Sequence, residues 1–435
     1  MTTTIRRVAV IGGVRTPFCR SNSLYMDLSN LDMLTTTLTG LVDRYDLAGV
    51  HIDEIVGGAV VTHSKDWNLA REAVIGTKLA PSSPGITMMQ ACGTSLQAAG
   101  GIAAKIATGA IECGIAMGSD TTSDPPIVVG KKLATRLRDV GMQKSGMAKL
   151  KVFRGFSPSE LVPLPPSVAE PRTGLSMGQH CELMAKEWKV SRAEQDQLAY
   201  ESHCKAAAAY KAGWFDDLVV PCAGVFRDNN VREDTTVDKL AQLKAAFDRS
   251  AAGTMTAGNS TPLTDGAAAV LLASEEWAAK RGLKPLAYLT HVETAANDFV
   301  AGDGLLMAPT IAVAKMLKRA GLKLQDFDCY EIHEAFAAQV LATLKAWEDP
   351  VYCRDKLGSS EALGSIDRAK LNIKGSSIAV GHPFAATGAR IIANLAKILS
   401  VQGGRGLISI CTAGGMGVAA IMESAKAGDM RMAAE

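Results

Sequence analysis

The chain has 435 residues, of which 47% are hydrophobic and 21% charged, and its formal net charge is +2. This composition is typical of a globular protein with a large core, and the length corresponds to about three domains of ordinary size. The near-neutral charge argues against a nucleic-acid-binding protein and against a general attraction to anionic membranes. The nine cysteines include no CxxC pair, which argues against a disulfide framework or a zinc ribbon and fits a reducing, cytoplasmic location.

Neither a membrane span nor a leader peptide is predicted. No apolar run approaches the length of about 18 residues that a transmembrane helix needs. The first residues, MTTTIRRVAVIGG, pass directly into a predicted strand, so we expect no signal peptide.

Short apolar runs alternate with helix-like stretches over the first 120 residues. The predicted buried strands are RRVAVIGG, DEIVGGAVV, GITMMQA and CGIAMGSD. The stretch from Gly93 to Thr108, rich in Ala, predicts a helix between the last two. Strands alternating with helices predict an α/β fold with a mostly parallel sheet that helices cover on both faces.

The middle of the chain has a different character. Residues 123–175 contain seven prolines and many basic residues and lack the strand–helix rhythm. From Ser176 to Gly213 the pattern is helical, and Ser176 with Gln179 forms a predicted capping box. A glycine-rich turn and an apolar strand return at 253–274. We therefore predict an inserted, mainly helical loop domain over 123–251.

A basic amphipathic helix is predicted inside this insertion. The stretch from 131 to 154 contains eight Lys or Arg and one acidic residue, Asp139. Val129, Leu133, Leu137 and Val140 fall on one helical face. Such a helix suits peripheral membrane contact through 129–154, a partner subunit or the phosphates of a ligand, and a solvated face is the alternative.

The strand–helix rhythm returns in the last third of the chain. The predicted strands are YLTHVETAA, DCYEIHE, SSIAVGH and GLISICTA, and the predicted helices are 309–320, 335–348 and 385–401. The pattern suggests one α/β unit used twice. We predict an N-terminal half (1–122 plus 252–284) and a C-terminal half (285–435), whose strand ends bring Cys92 and His382 together.

Two cysteines and one histidine stand beside small-residue turns. Cys92 lies in MMQACGTSLQAAGG, Cys411 in ISICTAGGMGVAA, and His382 in SIAVGHPFAATGAR. A thiol nucleophile, a base and a second thiol acid/base are the parts needed for acyl transfer between thiols. The helix that starts at Gly93 predicts a dipole that favours the Cys92 thiolate.

These segments resemble the thiolase family over nearly the whole chain. The resemblance rests on QACGTS, GTMTAGNSTPLTDGAAAV, EIHEAFAAQ, GHPFAATGAR and CTAGGMG. Most thiolases have Asn at the position of His333, and the His form resembles the β subunits of bacterial fatty-acid oxidation and trifunctional complexes. Ala413 stands where the family has glycine, but its backbone N–H remains. The resemblance implies duplicated α/β halves in αβαβα layers with an inserted loop domain.

The resemblance also implies a role for each catalytic residue. Cys92 would be the nucleophile, His382 its base, and Cys411 the second acid/base. His333 would hold a water in a first oxyanion hole, and the N–H groups of Cys92 and Ala413 would form a second.

Coenzyme A is the implied cosubstrate, and we expect no permanently bound cofactor and no metal. The implied CoA-binding residues are Met177, Arg232, Phe247, Ala257, Thr261 and Phe336. The adjacent pairs His180-Cys181 and His203-Cys204 are not spaced as metal ligands. A homodimer or tetramer is expected, or a complex with an enoyl-CoA hydratase/3-hydroxyacyl-CoA dehydrogenase α subunit.

The implied function is that of a 3-ketoacyl-CoA thiolase, an acyltransferase in fatty-acid β-oxidation. A biosynthetic acetoacetyl-CoA thiolase is the nearest alternative. A ketoacyl synthase shares the fold but lacks a second catalytic cysteine, and a non-catalytic acyl-CoA-binding relative would form no Cys92 adduct.

Overall fold

The computed structural model describes residues 5–164 and 167–425. The strands are β1 Val8–Arg15, β2 Cys19–Arg20, β3 Glu54–Gly58, β4 Gly85–Thr87, β5 Cys113–Asp120, β6 Val128–Val129, β7 Pro163–Leu164, β8 Thr264–Ser274, β9 Ala287–Ala296, β10 Cys329–Ile332, β11 Arg405–Thr412 and β12 Met416–Ser424.

The α-helices are α1 Asn30–Arg44, α2 Leu69–Ile75, α3 Thr94–Ala107, α4 Lys131–Met142, α5 Gly146–Lys151, α6 Met177–Glu187, α7 Arg192–Lys211, α8 Val237–Ala241, α9 Glu275–Lys280, α10 Ala308–Ala320, α11 Ala337–Glu348, α12 Pro350–Leu357, α13 Ser377–Val380 and α14 Thr387–Gln402. Short 3₁₀ turns occur at Ser64–Asp66, Ala91–Gly93, Pro158–Leu161, Arg368–Lys370 and Phe384–Ala386.

The main sheet is mixed, with strand order β10-β11-β12-β9-β1-β8-β5-β3-β4 and with β2 on β8. Pairing is parallel only toward its ends, between β10 and β11 and between β3 and its neighbours β4 and β5. The central pairs are antiparallel. The predicted mostly parallel sheet is therefore wrong. The reason is visible at β11 and β12, which only three residues connect, so they form a hairpin instead of a crossover.

The layered α/β architecture is confirmed. Helices α1 and α2 share one apolar core with the N-terminal strands, and α10 and α11 share another with the C-terminal strands. Between them, α3 and α14 form a central core with strands of both halves. The two halves of the sheet, joined only by the short β1–β9 pairing, form separate layers, so the order is helix, sheet half, helix, sheet half, helix. The boundaries predicted near 122, 252 and 284 stay predictions, although β8 pairs with β1 and β5 and so returns the chain to the first half.

The repeated unit is visible around the two central helices. A 3₁₀ turn leads directly into α3 and then β5, and another leads directly into α14 and then β11. The helices approach closely because their contact residues are small. A Cβ on Gly388 would lie 2.3 Å from the backbone nitrogen of Leu96, and one on Gly118 would lie 2.1 Å from the Ala385 carbonyl oxygen. Glycine at these positions lets the two turns meet.

The region of α14 differs from the prediction that no segment is apolar and long enough to span a membrane. The 19-residue segment Phe384–Gln402 is long and apolar enough to cross a bilayer by length and composition alone. In the fold, 78% of its most apolar window is buried inside the protein, as expected of a core helix.

One predicted strand is wrong. The segment SSIAVGH forms the short helix α13 and then a sharp bend at Gly381, whose φ is 107°. An apolar run this short fits a strand or a buried helical turn equally well. The bend directs the following residue, His382, toward the central helices.

Candidate functional site

Cys92 lies in the 3₁₀ turn before α3 and is almost completely buried. The preceding residue, Ala91, has a left-handed backbone with φ of 45°. The Thr94 hydroxyl stabilises this turn, because it donates to the Ala91 carbonyl oxygen at 2.8 Å. A Cβ on Gly93 would come within 2.9 Å of the Thr412 side chain. The turn therefore packs directly against the end of β11.

His382 contacts Cys92 directly. Its Nε2 lies 3.1 Å from the Cys92 Sγ. Its Nδ1 lies 2.5 Å from the Thr387 hydroxyl, and its backbone N–H donates to the Thr264 hydroxyl at 2.7 Å. Three polar contacts thus fix the ring and its backbone. The predicted convergence of Cys92 and His382 is present.

The pair is uncharged at rest. Burial, and secondarily the charge of Asp120, raises the pKa of the Cys92 thiol to about 12. Burial, and secondarily the charge of Arg390, lowers the pKa of His382 to about 3. Desolvation therefore opposes the thiolate that the α3 dipole is predicted to favour, and the raised pKa corresponds to a protonated thiol. If the thiol donates to a neutral Nε2, the imidazole proton is on Nδ1, where the Thr387 hydroxyl can accept it.

Cys411 lies near the end of β11 and is fully buried. Burial raises the pKa of its thiol well above the ordinary value, and the nearby Cys92 raises it further. Because the Cys92 turn packs on β11, the two thiols share one buried region. The structure thus brings both cysteines and His382 together from three distant chain segments.

His333 follows the end of β10 and stacks close to His382, with ring centroids 4.1 Å apart. Its Nδ1 lies 2.8 Å from the Ser377 hydroxyl, which accepts a hydrogen bond from the Arg390 guanidinium at 2.6 Å. Burial, then the neighbouring His382 and Arg390, lowers the pKa of His333 well below its usual value. Its Nε2 is buried and has no hydrogen-bond partner among the described residues.

Ala413 begins the hairpin turn between β11 and β12. The next two residues, Gly414 and Gly415, have φ of 78° and 68°, which only glycine adopts readily. The Gly414 N–H donates to the Glu170 carboxylate at 2.9 Å. The N–H groups of Cys92 and Ala413 both hydrogen-bond the Cys92 sulfur and lower the pKa of its thiol. Both donors therefore converge on the Cys92 sulfur, and the oxyanion hole that they would form stays a prediction.

The predicted CoA-binding residues are only partly grouped. Phe247 and Phe336 meet edge to face at 5.7 Å, and a Cβ on Gly178, next to Met177, would strike the Phe247 ring. The Thr261 hydroxyl donates to the Ser377 carbonyl oxygen at 2.8 Å.

Of the other two predicted CoA-binding residues, Ala257 lies in the segment whose Thr256 and Ser260 pair with Ala245 and Phe336, beside the aromatic pair. Ala257 is exposed. Arg232 lies beside His203, whose Nδ1 accepts its backbone N–H at 3.1 Å. CoA binding by all six residues stays a prediction.

Sequence reasoning missed the partners of the two histidines. Thr387 orients His382, and Ser377 with Arg390 orients His333. All three lie in SSIAVGHPFAATGAR, so the signal was a run of hydroxyl and guanidinium groups around a histidine. Asp120 was also missed. Its carboxylate accepts the N–H of Ala385 at 2.8 Å and so holds the turn before α14.

Cys92, His333 and His382 are also the one group of three potential metal ligands found among the described residues. Their ligand atoms all lie within 4.8 Å of one another. A buried thiol beside two neutral imidazoles can therefore perform nucleophilic chemistry or hold a soft cation.

Known proteins are similar to this chain over most of its length. The family model for the thiolase N-terminal domain matches residues 8–276, and that for the thiolase C-terminal domain matches 283–424. A 3-ketoacyl-CoA thiolase of Shewanella baltica is 43% identical over 96% of this chain and 97% of its own length. The corresponding Shewanella sediminis protein is 42% identical over the same shares.

Solved structures agree with these matches. Bacillus anthracis acetyl-CoA acetyltransferase has a TM-score of 0.80 at 29% identity, covering 97% of this chain and all of that one. Human mitochondrial 3-ketoacyl-CoA thiolase has a TM-score of 0.78 at 27% identity, again over 97% of this chain and all of that one. Sequence and fold together show that this chain belongs to the thiolase family.

Proposed function

We propose that this acyltransferase is a 3-ketoacyl-CoA thiolase, which cleaves 3-ketoacyl-CoA with CoA to acetyl-CoA and a shortened acyl-CoA. The observation that supports this most directly is the contact of 3.1 Å between the Cys92 Sγ and the His382 Nε2, beside a second buried thiol, Cys411. The names of the Shewanella relatives support the same substrate.

The first half-reaction forms an acyl-enzyme. The Cys92 sulfur attacks the 3-keto carbon while its proton moves to the His382 Nε2. The N–H groups of Cys92 and Ala413 stabilise the oxyanion that develops on the keto oxygen. When the intermediate collapses, the bond between C2 and C3 breaks and C2 takes a proton from the Cys411 thiol. Acetyl-CoA leaves, and the shortened acyl group stays on Cys92.

The second half-reaction reverses these proton movements. The Cys411 thiolate takes the proton of the incoming CoA thiol, whose sulfur attacks the Cys92 thioester. The acyl group leaves as acyl-CoA, and His382 returns the proton to Cys92. The enolate that precedes acetyl-CoA needs a donor at its thioester oxygen. We propose that the imidazolium of His382 and a water held by His333 supply it, and the distance of 4.1 Å between the two rings supports a shared role.

The test is an acyl adduct on the protein. Incubation with a 3-ketoacyl-CoA in the absence of free CoA should add one acyl group to the Cys92 peptide, as detected by mass spectrometry. Cys92→Ala should abolish this adduct, and added CoA should remove it from the unchanged protein. An adduct on another cysteine would refute the assignment.

The metabolic role and assembly are proposed separately. We infer a role in fatty-acid β-oxidation, a cytoplasmic location, and a homo-oligomer or a complex with an α subunit. The insertion supports a contact surface, because it exposes several large apolar side chains: Ile127, Val128, Leu137, Met142, Met147, Leu150, Leu161, Val162 and Leu164. Thiolysis rates over short, medium and long 3-ketoacyl-CoA substrates would test the role. Activity on acetoacetyl-CoA alone would favour the biosynthetic alternative.

A further inference from the structure

The three potential ligands in the catalytic site form a compact, buried cluster. Cys92 comes from the turn before α3, His333 from the end of β10, and His382 from the bend after α13. At most 3% of each residue is exposed. We propose that this cluster binds one zinc ion, and that the zinc-bound protein is an inhibited state; the inhibition, but not the binding, rests on the proposed function.

The ligand set suits zinc. Zinc binds thiolate at about 2.3 Å and imidazole at about 2.0–2.1 Å in tetrahedral geometry, which spaces its ligand atoms by about 3.4–3.6 Å. The Cys92 Sγ and the His382 Nε2 are already 3.1 Å apart, and no pair in the cluster exceeds 4.8 Å. The widest pair therefore needs to approach by no more than about 1.4 Å. One thiol and two imidazoles leave the fourth position for a water.

A nitrogen of His333 without a hydrogen-bond partner among the described residues also indicates a ligand at this cluster. The Nδ1 of His333 is taken by Ser377, so Nε2 is the nitrogen left free to bind a ligand, and it is fully buried without a hydrogen-bond partner among the described residues. A buried polar atom without a partner is destabilising, because it has lost its hydrogen bonds to water and gained none in the protein. A cation in the cluster would remove that destabilisation.

The hydrogen-bond partners of the two histidine rings also suit metal binding. Metal-binding histidines usually donate their other ring N–H to an oxygen, which fixes the ring. His382 does so toward Thr387. The Ser377 hydroxyl can accept the same bond from His333, because it has two lone pairs and Arg390 uses one. Zinc on the His333 Nε2 would take the place of the water that the proposed mechanism assigns to His333, so the two states exclude each other.

The binding step balances without any redox change. Zinc forms one bond to sulfur and two to nitrogen, and the Cys92 thiol releases one proton to the solvent. The sulfur lone pair is then engaged and the His382 Nε2 can no longer accept a proton, so acyl transfer stops. Magnesium and calcium prefer oxygen ligands and should not compete.

The experiment uses the full-length protein after removal of metals with a chelator. Zinc would be titrated against a chromophoric competing chelator, and cobalt(II) would serve as a spectroscopic probe. We expect one zinc per chain and a thiolate-to-cobalt charge-transfer band. His333→Asn keeps an N–H donor but loses a ligand, and should weaken zinc binding by at least about tenfold. Cys92→Ser should abolish the charge-transfer band.

Two cysteine variants are the matched controls. Cys411→Ser removes the neighbouring thiol and Cys204→Ser an exposed one, and both should retain zinc affinity within about twofold. His382→Gln is the second ligand variant should His333→Asn unfold, and near-ultraviolet circular dichroism would check each fold. Unchanged zinc affinity in a folded ligand variant, or a cobalt spectrum without a thiolate band, would overturn the proposal.

Activity is measured separately from binding. Each protein's thiolysis rate with zinc would be compared with its own metal-free rate. A metal-free protein that binds zinc but never performs thiolysis would contradict the proposed function while leaving the zinc site intact. An active protein without the predicted zinc site would contradict only the present inference.

Discussion

The turns before α3 and α14 occupy equivalent places in the two halves, yet they use their reactive residue differently. Cys92 lies inside its 3₁₀ turn, two residues before the helix begins at Thr94. His382 precedes its turn and stands five residues before the helix begins at Thr387. The imidazole of His382 is longer than the thiol of Cys92. His382 can therefore extend across the interface between the helices, whereas Cys92 lies at that interface.

The two threonines show what this shift achieves. The Thr94 hydroxyl bonds its own turn, at the Ala91 carbonyl oxygen. The Thr387 hydroxyl bonds the catalytic imidazole instead. The threonine that begins α3 thus fixes the backbone of its own turn, and the threonine that begins α14 fixes the His382 ring. A single ancestral arrangement can in this way supply a nucleophile from one copy and its base from the other.

Removal of the thiol should have the largest effect. Cys92→Ala eliminates the nucleophile, and we expect thiolysis to fall by about four orders of magnitude or more. The melting temperature should change little, because the alanine fits the space. Steady-state thiolysis with circular dichroism melting checks this. Retention of more than about one per cent of the activity would exclude Cys92 as the acyl carrier.

Removal of the imidazole should have a smaller effect. His382→Gln leaves the nucleophile without a base, and the thiol pKa of about 12 keeps it protonated at neutral pH. We expect kcat to fall by roughly 10²–10⁴-fold. Raising the pH should partly restore the rate of this variant, because it increases the thiolate fraction. A rate that does not rise with pH would show that His382 does more than accept this proton.

The same histidine should make the fold sensitive to acid. Its folded pKa of about 3 lies below the usual value of about 6.5, so the unfolded chain binds the proton first. Its contribution to stability is complete above pH about 6.5 and is lost as the pH falls toward 3. When the pH falls from about 6.5 to 4.5, the free energy of unfolding should drop for both proteins. We expect the drop to be about 2–3 kcal/mol larger for the unchanged protein than for His382→Gln. Urea unfolding at both pH values measures this, and parallel losses would contradict the assignment.

Sequence patterns predicted the helices well because their apolar residues recur over many turns. The helix expected from Gly93 to Thr108 spans Thr94–Ala107, and the one expected from 309 to 320 spans Ala308–Ala320. Short apolar runs were less informative. The segment before His382 is helical, and the sheet is antiparallel at its centre, because pairing depends on connections between distant strands.

The reactive residues were predictable, but their electrostatic state was not. Cys92, His382 and Cys411 could be named from local motifs. The pKa of the thiol depends on how completely the opposite half covers it, which no local pattern records. The same holds for Arg390, which hydrogen-bonds the Ser377 hydroxyl beside the His333 Nδ1 and whose charge lowers the His333 pKa. Contacts between two distant segments need the fold itself.

The close approach of the two central helices can be tested with paired glycines. Gly388→Ala would place a Cβ 2.3 Å from the backbone nitrogen of Leu96, and we expect a loss of about 1–3 kcal/mol. Gly101→Ala, in α3, has nothing within 4 Å of the new Cβ, and should gain roughly 0.5–1 kcal/mol from helix propensity. Denaturant unfolding of both variants measures the difference. Equal stabilities would show that the interface between the helices tolerates expansion.

The smallest effects should separate the two threonines. Thr387→Val removes the hydroxyl that orients His382, and we expect kcat to fall about tenfold with little change in melting temperature. Thr94→Val removes the bond to Ala91, and should lower stability by about 1–2 kcal/mol. Thr387→Ser should recover most of the rate, since it restores the hydroxyl. If both valine variants lost only stability, the Thr387 hydroxyl would serve the turn and not the imidazole, and the functional difference between the two helix starts would disappear.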